Sequence, residues 1–175
     1  MKKILKYFLL FLFVSEINYG QSLSLSDFKI GSISLNRSIW PVIKHYGKPV
    51  NKDSIEGYIS YSYLDFTIWL DETDHKINAF QIIHPNIKAS RGIAINDSVQ
   101  KIIRLFGKPG ETGEKFERLV GVYDFTFSDY SAYLDYYYES NIYDSHYKEY
   151  YHWHIIFYLK ENKIVRILYF IEVFE

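Results

Sequence analysis

His152 and His154 stand two apart in a run, Tyr150–Leu159, whose aromatic and β-branched residues read as a strand. Alternation puts both imidazoles on one face with Tyr150, Ile156 and Tyr158, and sends Tyr151, Trp153, Ile155 and Phe157 to the other. An H-x-H pair on one strand face can supply two zinc ligands, with a third from His146 or an acidic residue within Asp124–Tyr151. The ordinary reading is two histidines on a half-exposed strand, and it is the one expected. No bound metal and no cofactor is anticipated. His45, His75 and His84 are isolated and read as surface residues.

Other chemistry is hard to find. Glu111, Glu114 and Glu117 lie close together, but paired-carboxylate catalysis needs two carboxyls facing across a cleft in unlike environments. The glycine-rich stretch Gly107–Gly113 follows a predicted helix and lacks the Gly-Lys-Ser/Thr of a phosphate loop. There is no nucleophile elbow, no His-Glu-x-x-His and no cysteine for a Cys–His pair. The expectation is a protein that is not an enzyme.

What stands out instead is tyrosine. Nine of the 18 tyrosines fall at 130, 133, 136, 137, 138, 143, 147, 150 and 151, among Asp129, Asp135, Glu139, Asp144 and Glu149. Tyrosine offers a large contact area with few rotors and a polar tip, which suits protein recognition. Tyr130, Tyr133, Tyr136, Tyr138, Tyr143, Tyr147 and Tyr150 are the candidate contact residues. An acidic tyrosine surface fits a basic protein partner or a carbohydrate stacked on the rings. The competing reading is a long hairpin whose tyrosines fill cross-strand pairs.

The elements that carry these residues are organised by a repeat. Ser38–Pro49, SIWPVIKHYGKP, returns sixty residues later as Ser98–Pro109, SVQKIIRLFGKP. Over Ile33–Pro49 and Ile93–Pro109 seven residues are identical without a gap, among them Asn36/Asn96 and the Gly-Lys-Pro ending. Ile39, Val42, Ile43 and Tyr46, like Val99, Ile102, Ile103 and Phe106, follow the i, i+3, i+4, i+7 spacing of a short amphipathic helix. Ser38 and Ser98 are the expected N-caps, which puts Pro41 at the third helical position, and Gly47 and Gly107 end the helices. Asn36-Arg37-Ser38 and Asn96-Asp97-Ser98 fit the N-glycosylation pattern, but their place at a helix start favours a capping role.

After the first helix comes a polar loop, Val50–Glu56. Strands are expected at Gly57–Tyr63, Phe66–Leu70 and Ile77–Ile83. After the second helix, loop Gly110–Lys115 leads to a strand near Leu119–Phe127 and a last hairpin, His154–Leu159 with Ile164–Val173. Aligning Lys163-Ile164 with Lys76-Ile77 gives the second repeat an excess of about 27 residues, which falls within Asp124–Tyr151. Deleting Tyr130–Tyr147 is accordingly expected to leave a folded core.

Residues 1–20 read as a secretory signal, with Lys2, Lys3 and Lys6 before the short apolar run Phe8–Val14 and cleavage after Gly20. No stable membrane span is then expected. The remaining chain carries 17 basic and 20 acidic residues, which is no electrostatic footprint for nucleic acid. The Lys, Ile, Asn and Tyr bias suits an AT-rich bacterial genome. Residues 21–86 and 87–175 then form two α+β repeats, the second bearing the insertion.

A short helix ending in Gly-Lys-Pro before an aromatic-rich meander resembles the envelope domains of the SmpA/OmlA class, and its tandem form resembles the β-lactamase-inhibitor-protein fold. That resemblance implies a binder rather than an enzyme, although the cysteines of those proteins are absent. The expected fold is α+β, two duplicated units, each a short helix on an antiparallel meander. The expected function is a secreted or periplasmic protein-binding module, inhibitor- or immunity-like. An envelope structural or assembly protein, and a metal-dependent enzyme at His152 and His154, are the alternatives.

Overall fold

Strict alternation organises the first strands: Phe66, Ile68 and Leu70 are buried while Thr67, Trp69 and Asp71 are half-buried. A sheet with one such face must cover it, and two short helices do so. The structure is a computed structural model that describes residues 22–55, 57–114, 119–120, 123–124, 129–143 and 148–174. The segment 1–20 read as a signal lies outside them, as do 125–128 and 144–147 of the insertion, His146 and Tyr147 among them.

Among the described residues the chain runs through a 3-10 turn (Leu25–Phe28), β1 (Lys29–Ile30), β2 (Ile33–Ser34) and α1 (Trp40–Tyr46). β3 (Asn51–Ile55), β4 (Tyr58–Ser62), β5 (Phe66–Asp71) and β6 (Ile77–Ile82) follow. Next come α2 (Val99–Phe106), β7 (Glu111–Gly113), β8 (Leu119–Val120) and β9 (Tyr123–Asp124). β10 (Ala132–Tyr143), β11 (Lys148–Lys160) and β12 (Lys163–Phe174) complete the fold. The main sheet has eight antiparallel strands in the order β3-β4-β5-β6-β12-β11-β10-β7. β6 pairs with β12 at its centre, Ala79–Ile82 against Ile167–Phe170, and the Phe80 and Tyr169 rings stack there 4.5 Å apart. The fold class is α+β, a large antiparallel sheet with two helices.

That central pairing also corrects the resemblance to a tandem SmpA/OmlA-class repeat. Strands β3–β7 and β10–β12 form one continuous sheet, because β6 and β12 bond to each other instead of closing two self-contained meanders. The core joins Phe28, Ile39 and Val42 to Ile102, Phe106, Phe157 and Tyr169.

The helices differ at their starts. Ser98 caps α2 as expected, its Oγ accepting the Lys101 N–H at 3.3 Å. In α1 the cap moves one residue on, to Ile39, and Pro41 sits at the second helical position. Pro41 occupies the place of Lys101 and has no N–H to give Ser38, so Val42 bonds to Ile39 instead. Ser98→Ala should therefore cost about 1 kcal/mol and Ser38→Ala less than half of that, read from urea midpoints at unchanged m. Asn36 and Asn96 are needed for their backbones: both have positive φ, 54° and 75°, which Asn adopts more readily than most residues. Their N–H groups donate to Ile77 and Ile164 at 2.8 Å.

Two stretches read as loops are edge strands. Asn51–Ile55 and Glu111–Gly113 are polar because edge strands need no apolar face, so periodicity misses them. Of the single strand expected near Leu119–Phe127, the described residues form the short β8–β9 pair, and the others lie outside the described residues. The N-terminal arm is held by Arg91, whose guanidinium donates to both Asp27 oxygens (2.8 and 2.7 Å) and to the Leu105 and Ser22 carbonyls. Its Cζ lies 4.6 Å above the Phe106 ring.

Candidate functional site

β10, β11 and β12 send alternate residues to opposite faces. Tyr136, Trp153, Ile155, Phe157 and Tyr169 point under the helices, while Asp135, Tyr137, His152, His154 and Glu172 share the helix-free face. Register aligns Glu139, His152 and Glu172 across three strands, and Tyr137, His154 and Phe170 in the next row. A bulge sets this alignment. Tyr158 pairs with Arg166 but Leu159 with Ile164, so one extra residue on β12 brings Glu172, not Ile171, opposite His152.

His154 is fixed on every side. It is 2% exposed, and its ring stacks flat on Phe170 at 4.5 Å and 3°. Nδ1 lies 3.1 and 3.0 Å from the two oxygens of Asp135, itself 1% exposed. A carboxylate only accepts, so Nδ1–H donates and the lone pair of a neutral ring is left on Nε2. Nε2 is buried without a hydrogen-bond partner, 3.6 Å from Glu172 Oε2. One ligand atom each from His152, His154 and Glu172 can lie within 4.8 Å of the others. They open on a cavity of about 520 Å³ that Glu111, Glu139 and Tyr137 also line.

Tyr137 is 46% exposed and lies over Gly110, where a Cβ would collide with its ring. Tyr133 donates its hydroxyl to Glu111 at 2.6 Å. A second groove, about 920 Å³, meets the first at Tyr137 and Glu139 and runs past Leu23, Phe106, Lys108 and Tyr138 on the helix side. Between them lies a strand edge. β7 pairs only with Tyr133–Asp135, so beyond Asp135 the outer edge of β10 has no strand beside it among the described residues. The Asp135 carbonyl accepts from Gly110 on the β7 side, and alternation turns the main-chain groups of Tyr137, Glu139 and Asn141 the same way.

The tyrosine candidates divide. Tyr133 and Tyr136 are 5% and 3% exposed and cannot serve as surface contacts, because alternation buries one on each face. Tyr136 donates to the Gly107 carbonyl at 2.9 Å, and burial pushes its phenol pKa well up. Tyr130 is half-buried, edge-on to Tyr158, and Tyr138 is half-buried near Phe28. Tyr143 and Tyr150 take their places in the β10–β11 ladder. Because β10 lies between β7 and β11, deleting Tyr130–Tyr147 removes an inner strand and does not spare the core. His152 and His154 do share a face, though His154 is fully buried rather than half-exposed. His45, His75 and His84 are exposed as expected. Asp135, Tyr137 and Glu172 were not singled out from sequence; the H-x-H spacing points to their neighbourhood but not to them.

No family model and no curated protein sequence matches the chain. Solved structures do match, among them an extracellular protein containing an SCP domain from Bacillus anthracis str. Ames and a cysteine-rich secretory protein from Staphylococcus aureus subsp. aureus Mu50. The first is 12% identical with a TM-score of 0.45, covering 88% of this chain and 47% of that one. The second is 11% identical with a TM-score of 0.46, covering 87% and 48%. The chain thus spans about half the length of the solved proteins it matches. Neither is described as an SmpA/OmlA-class envelope domain. Among the described residues no helix is long and apolar enough to cross a membrane.

Proposed function

We propose that this chain is an exported, non-enzymatic protein-binding module that takes an extended segment of its partner along the edge of β10 that no described strand covers. The observation that carries this reading is the edge itself. Tyr137, Glu139 and Asn141 turn main-chain donors and acceptors outward beyond the three-residue β7, between two grooves. A strand added there gains main-chain hydrogen bonds, and the grooves receive its alternate side chains. β3, at the far end of the sheet, carries Lys52 and Asp53, charges that discourage such pairing. Glu111 and Glu139 at the rim favour a basic segment.

We further propose that the two halves are duplicates, the second extended at its hairpin. Strand order mirrors about the centre, Ser38 bridges Lys76 as Ser98 bridges Lys163, and both halves carry a bulge at the same place, Trp69/Leu70 and Tyr158/Leu159. On this reading the long hairpin is what the second half adds for binding.

A proline at Asn141 tests the edge, since it removes an outward donor and spares the β10–β11 ladder. The chain from residue 21 onward should capture one protein at a stoichiometric ratio from its native cell envelope. Asn141→Pro, folded by circular dichroism, should lose at least 90% of that capture. Equal capture by both proteins defeats the edge reading.

A further inference from the structure

We infer that His152, His154 and Glu172 form a binding site for one divalent transition-metal ion, zinc the best match. The inference is independent of the edge reading. His154 Nε2 is the starting point: a buried imidazole nitrogen without a hydrogen-bond partner, its ring locked between Asp135 and Phe170. A buried acceptor left unmade is costly, and a metal ion is the natural partner for an imidazole lone pair.

The surroundings fit that partner. Asp135 on Nδ1 completes the carboxylate–histidine arrangement that fixes the tautomer of a metal-bound ring and raises its basicity. The second imidazole and the carboxylate arrive on the same face, His152 two residues along β11 and Glu172 across on β12. Both side chains are about 30% exposed. Ligands at about 2.0–2.2 Å from zinc need only a modest closing of the 4.8 Å spread. Two imidazoles and one carboxylate favour zinc over calcium or magnesium, which prefer all-oxygen shells. Three protein ligands leave a position open to the cavity, for water or for a donor on a bound partner.

Isothermal titration of zinc chloride into the metal-stripped chain from residue 21 onward tests this without any partner. One zinc per chain is expected, with His152→Ala and Glu172→Gln each weakening binding at least tenfold. Asp135→Asn should weaken it about 10- to 100-fold with the ligands intact. Bound cobalt should show the visible absorption of a four-coordinate site, which both ligand variants lose. Each variant is checked for native circular dichroism. The alternative occupant of the geometry is a proton, His154 held as an imidazolium between Asp135 and Glu172. Absence of zinc binding with a doubly protonated His154 ring in the nitrogen NMR spectrum at neutral pH overturns the metal site. So does zinc binding that neither His152→Ala nor Glu172→Gln affects. Failure here leaves partner capture at β10 unaltered, and loss of capture by Asn141→Pro leaves zinc binding unaltered.

Discussion

Arg91→Ala lowers the melting temperature by about 5–15 °C. The substitution removes a mostly buried cation and leaves Asp27, 7% exposed beside Phe28 in the core, with its Ser24 hydrogen bonds but no counter-charge from Arg91. Breaking a buried pair by deleting one member costs up to about 3–5 kcal/mol; residual exposure of both groups argues for about 2–4 here. At this chain length each kcal/mol moves the midpoint by about 2–4 °C. Loss of the cation over Phe106 and of the bonds to Leu105 and Ser22 adds to the effect. Burial pushes the Asp27 carboxyl pKa up, but the Arg91 hydrogen bonds, with those from Ser24, outweigh burial and hold it below the usual value. The sign follows. A depressed carboxylate stabilises the fold above the ordinary carboxylate pKa of about 3.9 and loses that stabilisation as pH falls through its folded value. Thermal melts should show the gap between wild type and Arg91→Ala narrowing in acid. A constant gap from pH 7 to 3 would mean the loss is packing alone.

Tyr169→Ala is the other large effect, about 3–5 kcal/mol. Tyr169 stands on β12 at the β6–β12 junction, fully buried, stacked on Phe80, its hydroxyl 3.2 Å from Ser90 N and Oγ. Burial raises its pKa to about 12, against the lowering effect of the Ser90 bonds. Tyr169→Phe separates the two contributions: it keeps the stack and loses the hydroxyl, costing about 1–3 kcal/mol because Ser90 is left unpaired in the interior. Since the ring joins both halves of the sheet, denaturant melts of Tyr169→Ala should stay a single transition. Separate transitions for residues 21–86 and 87–175 would show that the junction does not couple them.

The parts of this fold legible in sequence are those that local chemistry dictates. Ile39, Val42 and Ile43 announce α1 by spacing, Gly47 and Gly107 end both helices, and Phe66–Leu70 alternates as a strand must. The polar strands Asn51–Ile55 and Glu111–Gly113 exist because a neighbour pairs with them, and no pattern of their own reveals that. Tyr136 reads as a contact residue in sequence because tyrosine serves surfaces and cores alike; only its place under the helices decides. The candidate site was half legible. His152 and His154 give their shared face by spacing, but Glu172 depends on the bulge at Tyr158/Leu159, and counting back from the Lys160–Lys163 turn without it would put Ile171 opposite His152. Asp135 is one of several acidic residues in the insertion until the ladder sets it diagonal to His154.

The most direct measurement is amide hydrogen exchange along β10 in the free chain, read residue by residue by NMR. The main-chain groups of Tyr136, Tyr138 and Ser140 alternate toward β11, whereas those of Tyr137, Glu139 and Asn141 turn to the open edge. Slow exchange for the first three and fast exchange for the second is the expected result, with Tyr137, Glu139 and Asn141 becoming protected when the partner binds. Uniform protection of all six in the free chain would mean that the edge is already covered, and would contradict binding by strand addition.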